Sequence, residues 1–398
     1  MSISANNHEL EYIRSCLRVE LLSNHPLPDP DPGLDWERLF VTLQQNKLTA
    51  YFYSIVKRIP DRLPASFWKE LRQEHYRYLI YGDQCAKQVR KVLVALHEGG
   101  INVIVLKGWA FIQTLYGGDP SQRFCQDIDI LVHPEDAQAA EGVLQKAGFQ
   151  GTEEYWPGYK RRYMNARAFI SSKQTGSFGD MFSIGLHWGL LQIPAYSANL
   201  IDSHSLFQYA RPLRVEGVEV FELAAEDEVV YACAHYWLHH RTDSVLLRFF
   251  ETAALIMKAD RTFDWDVVLK HAKAWQVILP LRNVLAIIES LWPNVIPPLV
   301  QKQLLKGKPT TSEYFVDRWI ALTKSNLTYI HLLKWLTLPG FRQRLCLVYE
   351  NVFPGPDYMR RNFGMSPSDI LPWLYFKRFI RVFHSLLNKV PIRMSLHV

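Results

Sequence analysis

Val105-Leu-Lys-Gly-Trp109 and, one helix and one turn later, Arg123-Phe-Cys-Gln-Asp-Ile-Asp-Ile-Leu-Val132 decide how this chain is read. Ile101 to Leu106 is a short β-branched run bounded by Gly99-Gly100 and Lys107-Gly108, which predicts a buried strand. A helix is expected over 109–116, then a turn at Gly117-Gly118-Asp119-Pro120, then a second strand over 127–132. On that strand residues two apart share a face, so Asp127 and Asp129 point one way while Ile128, Ile130 and Val132 point the other. Two carboxylates held side by side repel unless a cation neutralises them, as Mg²⁺ does between carboxylates and substrate phosphates. Lys107 and Gly108, where strand gives way to helix, add a positive charge and exposed N–H groups suited to an anion.

Outward from this core the pattern changes to helix on both sides. Leu10, Ile13, Leu17 and Leu21 recur at turn spacing, and apolar stripes continue through 34–56 and 66–96. Downstream, His133-Pro134-Glu135-Asp136 opens a helix closed by Lys146 and Gly148. Residues 168–172 and 181–188 pair as a hairpin, and 213–215 pairs with 218–223 through Glu216-Gly217. Helices are expected over 226–240, 244–258, 264–275 and 279–291, before a proline-marked linker at Pro293, Pro297 and Pro298 and further helices to the C-terminal end. The reading is an α+β protein in three regions: a helical region over 1–98, an α/β core over 99–223 and a helical region over 224–398.

Composition agrees with a folded chain of several layers. The 398 residues are 48% hydrophobic and 21% charged, which excludes a disordered tail protein. A net charge of +6 tolerates anionic ligands without indicating a nucleic-acid coat protein. The five cysteines are odd in number and form no C-x-x-C pair, so neither a disulfide framework nor a cysteine zinc site is expected, and a reducing cytoplasm is the natural compartment. No stretch reads as a signal peptide or a transmembrane span.

Leu106-Lys107-Gly108, Arg123 ahead of Asp127-Ile-Asp129-Ile-Leu-Val132, Leu186-His187-Trp188, and a downstream helical stretch with His235, His239, Arg248 and Asp264-Trp265 together resemble the polymerase-beta-like nucleotidyltransferase superfamily, in particular a bacterial nucleotidyltransferase group within it. The resemblance runs from about His75 to Val277. It implies a small mixed sheet with flanking helices and transfer of a nucleoside monophosphate from an NTP to a hydroxyl acceptor, small molecule or macromolecule. Asp127 and Asp129 would hold Mg²⁺ or Mn²⁺, and Lys107, Gly108 and Arg123 would bind the nucleotide phosphates. Two positions depart from the pattern: Trp109 stands where the superfamily has a serine, and Gly185 where it places a third carboxylate before Leu-His-Trp. The second departure leaves open a catalytically reduced nucleotide-binding or interaction protein.

His187 shares the strand face of position 185, and either acts as a base or soft ligand or serves as a structural hydrogen-bonder. Arg123 either reaches phosphate or pairs with a core carboxylate. Arg248 and Glu251, three apart, are expected to form an intrahelical ion pair. His235, His239 and His240 read as helix packing, because the glutamate of H-E-x-x-H is absent. Lys160, Arg161 and Arg162 among tyrosines are the one feature favouring nucleic acid. The run from Leu371 to Arg393 mixes aromatic with basic residues, and reads as a docked helix or as one touching a membrane surface.

Overall fold

The structure, a computed structural model, describes residues 8–22, 25–152, 165–171, 182–191, 201–241, 245–259, 262–323, 332–333, 335–338, 340–353, 355–356, 359 and 371–387. The chain opens with helices α1 (His8–Leu22), α2 (Trp36–Gln45), α3 (Thr49–Val56) and the long α4 (Ala65–Glu98). Asp35 caps α2 by accepting from the Arg38 N–H, satisfying one of the orphan donors of a helix start. β1 (Ile104–Leu106), α5 (Gly108–Thr114), β2 (Asp127–Leu131), α6 (Ala137–Lys146), β3 (Phe149–Gly151), β4 (Ala166–Ser171) and β5 (Ser183–His187) follow. After α7 (Ser203–Tyr209) come β6 (Arg211–Val215) and β7 (Val218–Glu222), joined by Glu216 and Gly217. Both turn residues have positive φ, 48° and 78°, as a tight two-residue hairpin with the native strand twist requires.

The seven strands form one mixed sheet in the order β3-β4-β5-β2-β1-β7-β6. β1 runs antiparallel to β2 and parallel to β7, and β2 runs parallel to β5. The first strand is shorter than the run Ile101 to Leu106 suggests, because the Ile101 N–H bonds the Leu96 carbonyl and is consumed in closing α4. The helix after β2 likewise starts later, at Ala137, since His133 to Asp136 first make a turn.

α8 (Ala225–His235), a π-helical turn at Tyr236–His240, α9 (Leu246–Lys258), α10 (Trp265–Ala274), α11 (Ile278–Leu291), α12 (Pro298–Lys306), α13 (Thr311–Thr323), α14 (Phe341–Val352) and α15 (Leu371–Leu387) complete the described elements. Two cores lie on opposite faces of the sheet. Val105, Ile128, Ile130, Ile184 and Leu186 face the second half of α4 and α6. Ile104, Leu106 and Leu131 face a larger core that α1–α3 share with α8–α11. The alternation of β2 therefore sends Asp127 and Asp129 to the side of the C-terminal helices, which decides what they meet. Among the described residues no helix is long and apolar enough to cross a membrane.

Candidate active site

β2 presents Asp127, exposed, and Asp129, partly buried, on one face, while Ile128 and Ile130 are fully buried on the other. Both carboxylates line a cavity of about 430 Å³, with Lys107 and Gly108 from the β1–α5 junction, Arg123 from the loop before β2, and His235, His240 and Arg248 from the C-terminal helices. Lys107 holds φ 49° and ψ −127°, an unfavourable conformation for a residue with a side chain, and one found mainly where function constrains the backbone. Gly108 is buried, and a Cβ there would lie 2.5 Å from Cys125 Sγ.

The Lys107 ammonium donates to Asp129 Oδ2 at 3.1 Å and lies 3.0 Å from His235 Nε2 and 5.0 Å above the Tyr231 ring. Burial alone would raise the Asp129 carboxyl, but the Lys107 charge and the His187 hydrogen bond outweigh it and hold the group below the usual carboxylate range. Burial likewise disfavours the Lys107 charge, and Asp129 and Tyr231 more than compensate, raising its pKa. His235 is driven well below its ordinary pKa by burial and then by Lys107, so its neutral ring accepts a hydrogen bond from the ammonium.

His187 Nε2 lies 3.2 Å from Asp129 Oδ1, so Lys107 and His187 engage one Asp129 oxygen each. Gly185 stands directly opposite Asp129 in the β2–β5 register and shares a face with His187. Gly185, standing where the superfamily places a third carboxylate, leaves no open gap: a Cβ there would collide with Asp129 Oδ1 and come within 3.0 Å of His187 Nε2.

Arg123 resolves toward the carboxylate. Its Nε and Nη2 donate to Glu251 at 2.9 and 3.3 Å, and the Tyr116 hydroxyl adds a third hydrogen bond at 3.1 Å. Glu251 thus faces the sheet and pairs with Arg123 rather than forming the intrahelical pair with Arg248 that spacing suggests. Arg123 still lines the cavity. The Cys125 thiol donates to the Asp127 carbonyl at 3.1 Å, and burial pushes its pKa up, which suits a packed thiol and not a nucleophile. The His235 ring meets those of His239 and His240 in tilted contacts, with centroids 5.2 and 4.9 Å apart, across the π turn, a distortion common at functional sites.

Tyr231 is the site residue the sequence reading missed, while His235 and Glu251, read there as helix packing and as the partner of Arg248, instead meet Lys107 and Arg123. The signal for these pairings is that a lysine and an arginine largely withdrawn from water beside the sheet need acceptors from elsewhere. Glu153, Glu154 and Asp180, the other acids that could supply a third carboxylate, and the basic stretch Lys160 to Arg162 lie outside the described residues.

A family model described as an uncharacterised nucleotidyltransferase matches residues 32–293. Among solved structures, an antigenic nucleotidyltransferase-like protein from Paracoccidioides brasiliensis is similar over 58% of this chain and 97% of its own, at 14% identity and a TM-score of 0.36. No curated protein matches.

Proposed function

The chain belongs to the uncharacterised nucleotidyltransferase family, and from that membership we propose that it moves a nucleoside monophosphate from a nucleoside triphosphate to a hydroxyl acceptor, with Mg²⁺ or Mn²⁺ as cofactor. One observation carries the reading: Asp127 and Asp129 share a face at a cavity that also holds the partly buried Lys107.

The donor set fits one hard divalent ion. Asp127 carries no ion pair among the described residues and opens to the cavity, and Mg²⁺ commonly uses one or two carboxylates plus substrate phosphates. A second ion is poorly provided for, because both Asp129 oxygens are engaged and position 185 offers no carboxylate. Bound at Asp127, the cation would supply charge neutralisation on the nucleotide phosphates.

The chain's own residues do the rest. The Lys107 ammonium is a fixed positive charge where a second cation would otherwise serve, preorganised toward developing negative charge. His235 and Tyr231 position that ammonium from the helical side, and His187 fixes the Asp129 carboxylate from β5. Lys47 and Arg248 add cationic lining. The cavity is of a size usual for small-molecule sites.

Gly185 favours a second reading, a nucleotide-binding protein that keeps the fold without transfer. Incubation with each α-labelled NTP and Mg²⁺, following both pyrophosphate release and label transfer to a cell extract, separates the two. Release that Asp127→Asn abolishes supports transfer, whereas Mg²⁺-dependent NTP binding without release under any acceptor condition supports the second reading.

A further inference from the structure

The charge of this chain is segregated. Residues 294–398 hold 15 Lys and Arg against 5 Asp and Glu, a net of +10, whereas residues 1–293 hold 30 against 34, a net of −4. The positive part lies beyond the family match, which ends at residue 293.

Exposed apolar surface is segregated the same way. Of the 22 large hydrophobic side chains left exposed among the described residues, 15 follow residue 298. On α15, Trp373, Phe376 and Ile380 fall at helical spacing and Phe379 flanks them, with exposures of 51%, 52%, 50% and 64%, while Leu374 is fully buried on the inner side. On α14, Phe341, Leu345 and Tyr349 repeat every fourth residue and are 74%, 52% and 63% exposed. A ring contact between Phe353 and Tyr375 at 5.6 Å joins the ends of the two helices. α15 contains no acidic residue, and the Lys377 ammonium lies 5.7 Å over the Trp373 ring, at the border of the apolar stripe.

We propose that α14 and α15 seat this protein on an anionic lipid bilayer, lying in the interface and not crossing it. An apolar stripe edged by lysine and arginine is what such a surface takes up: acyl chains cover the rings and aliphatic groups while headgroup charge meets the cations. A second copy is a poorer occupant, since it would bring two +10 regions together. Nucleic acid would stack on the aromatic rings but would leave Leu345 on α14 and Ile380 on α15 in water.

The test is co-sedimentation of the full chain with phosphatidylcholine vesicles and with vesicles carrying about one quarter phosphatidylglycerol. The expected result is binding at least about tenfold tighter to the anionic vesicles, weakened by salt. Phe376→Ser with Phe379→Ser should lower it about tenfold or more, with thermal melting unchanged because both side chains are exposed. Lys377→Gln should lower it about fivefold. Asp127→Asn should bind vesicles as the parent does, since the surface lies outside the nucleotide site. Three results would overturn the proposal: no preference for anionic vesicles, equal binding by the double variant, or binding of single-stranded RNA or self-association in place of vesicle binding.

Discussion

Asp129 and Gly185 face each other across the parallel strands β2 and β5, and the Asp129 carboxylate occupies the space where a side chain at 185 would begin. Glycine at 185 is therefore what allows Asp129 to turn toward His187 and Lys107 at once. The missing third carboxylate and the doubly engaged second one are a single arrangement.

Restoring an acid at this position is consequently expected to harm the site. Gly185→Asp should expel Asp129 from its pocket, weaken Mg²⁺ binding in calorimetry, and lower stability by about 1–3 kcal/mol in denaturant titration. Tighter Mg²⁺ binding at unchanged stability would mean that Asp129 moves aside freely.

The two aspartates should separate cleanly by stability. Asp127→Asn is expected to abolish Mg²⁺-dependent nucleotide binding while shifting stability by no more than about 0.5 kcal/mol, because Asp127 is exposed. Asp129→Asn should lose the same binding and cost about 1–3 kcal/mol in addition, since it leaves the partly buried Lys107 charge without its partner. Isothermal titration and urea unfolding on both variants measure the difference.

Glu251→Gln breaks a fork of hydrogen bonds between groups 16% and 4% exposed. A loss of about 2–4 kcal/mol is expected, read as a drop in urea midpoint at constant slope. Arg123→Lys should recover only part of the parent stability, because an ammonium cannot make the two parallel bonds of a guanidinium.

Glu228 on α8 links stability to pH. Its carboxyl is buried, one oxygen finds no hydrogen-bond partner among the described residues, and burial pushes its pKa up to about 8 despite the opposing influence of Lys107. A carboxyl raised on folding binds a proton in the native state, so its contribution is complete below the ordinary value of 4.5 and declines as pH rises toward about 8. The parent should lose stability on the order of a few kcal/mol across that window, and Glu228→Gln should remove that part of the slope. Unfolding curves at several pH values, parent against variant, check it.

Much of the sheet was legible because strand physics is local. Alternation around Asp127-Ile-Asp129 separated a polar from an apolar face, and Glu216-Gly217 announced a two-residue turn. The helices over 246–258, 265–274 and 278–291 followed from their spacing to within a residue or two. The ends of the first strand and of the helix after β2 were less legible, because backbone donors there are spent on closing neighbouring turns.

By itself the sequence determined an α+β chain whose second strand carries two carboxylates on one face, next to a lysine and a glycine at a strand-to-helix junction. Only the tertiary structure decided the partners: that His235, more than a hundred residues after Lys107, accepts a hydrogen bond from its ammonium, that Glu251 takes Arg123 and not Arg248, and that Asp129 fills the place opposite Gly185. Periodicity along a chain says which face a side chain leaves from. What it meets depends on which distant element packs against that face, and here the need of buried charges for partners, felt across the whole core, makes that choice.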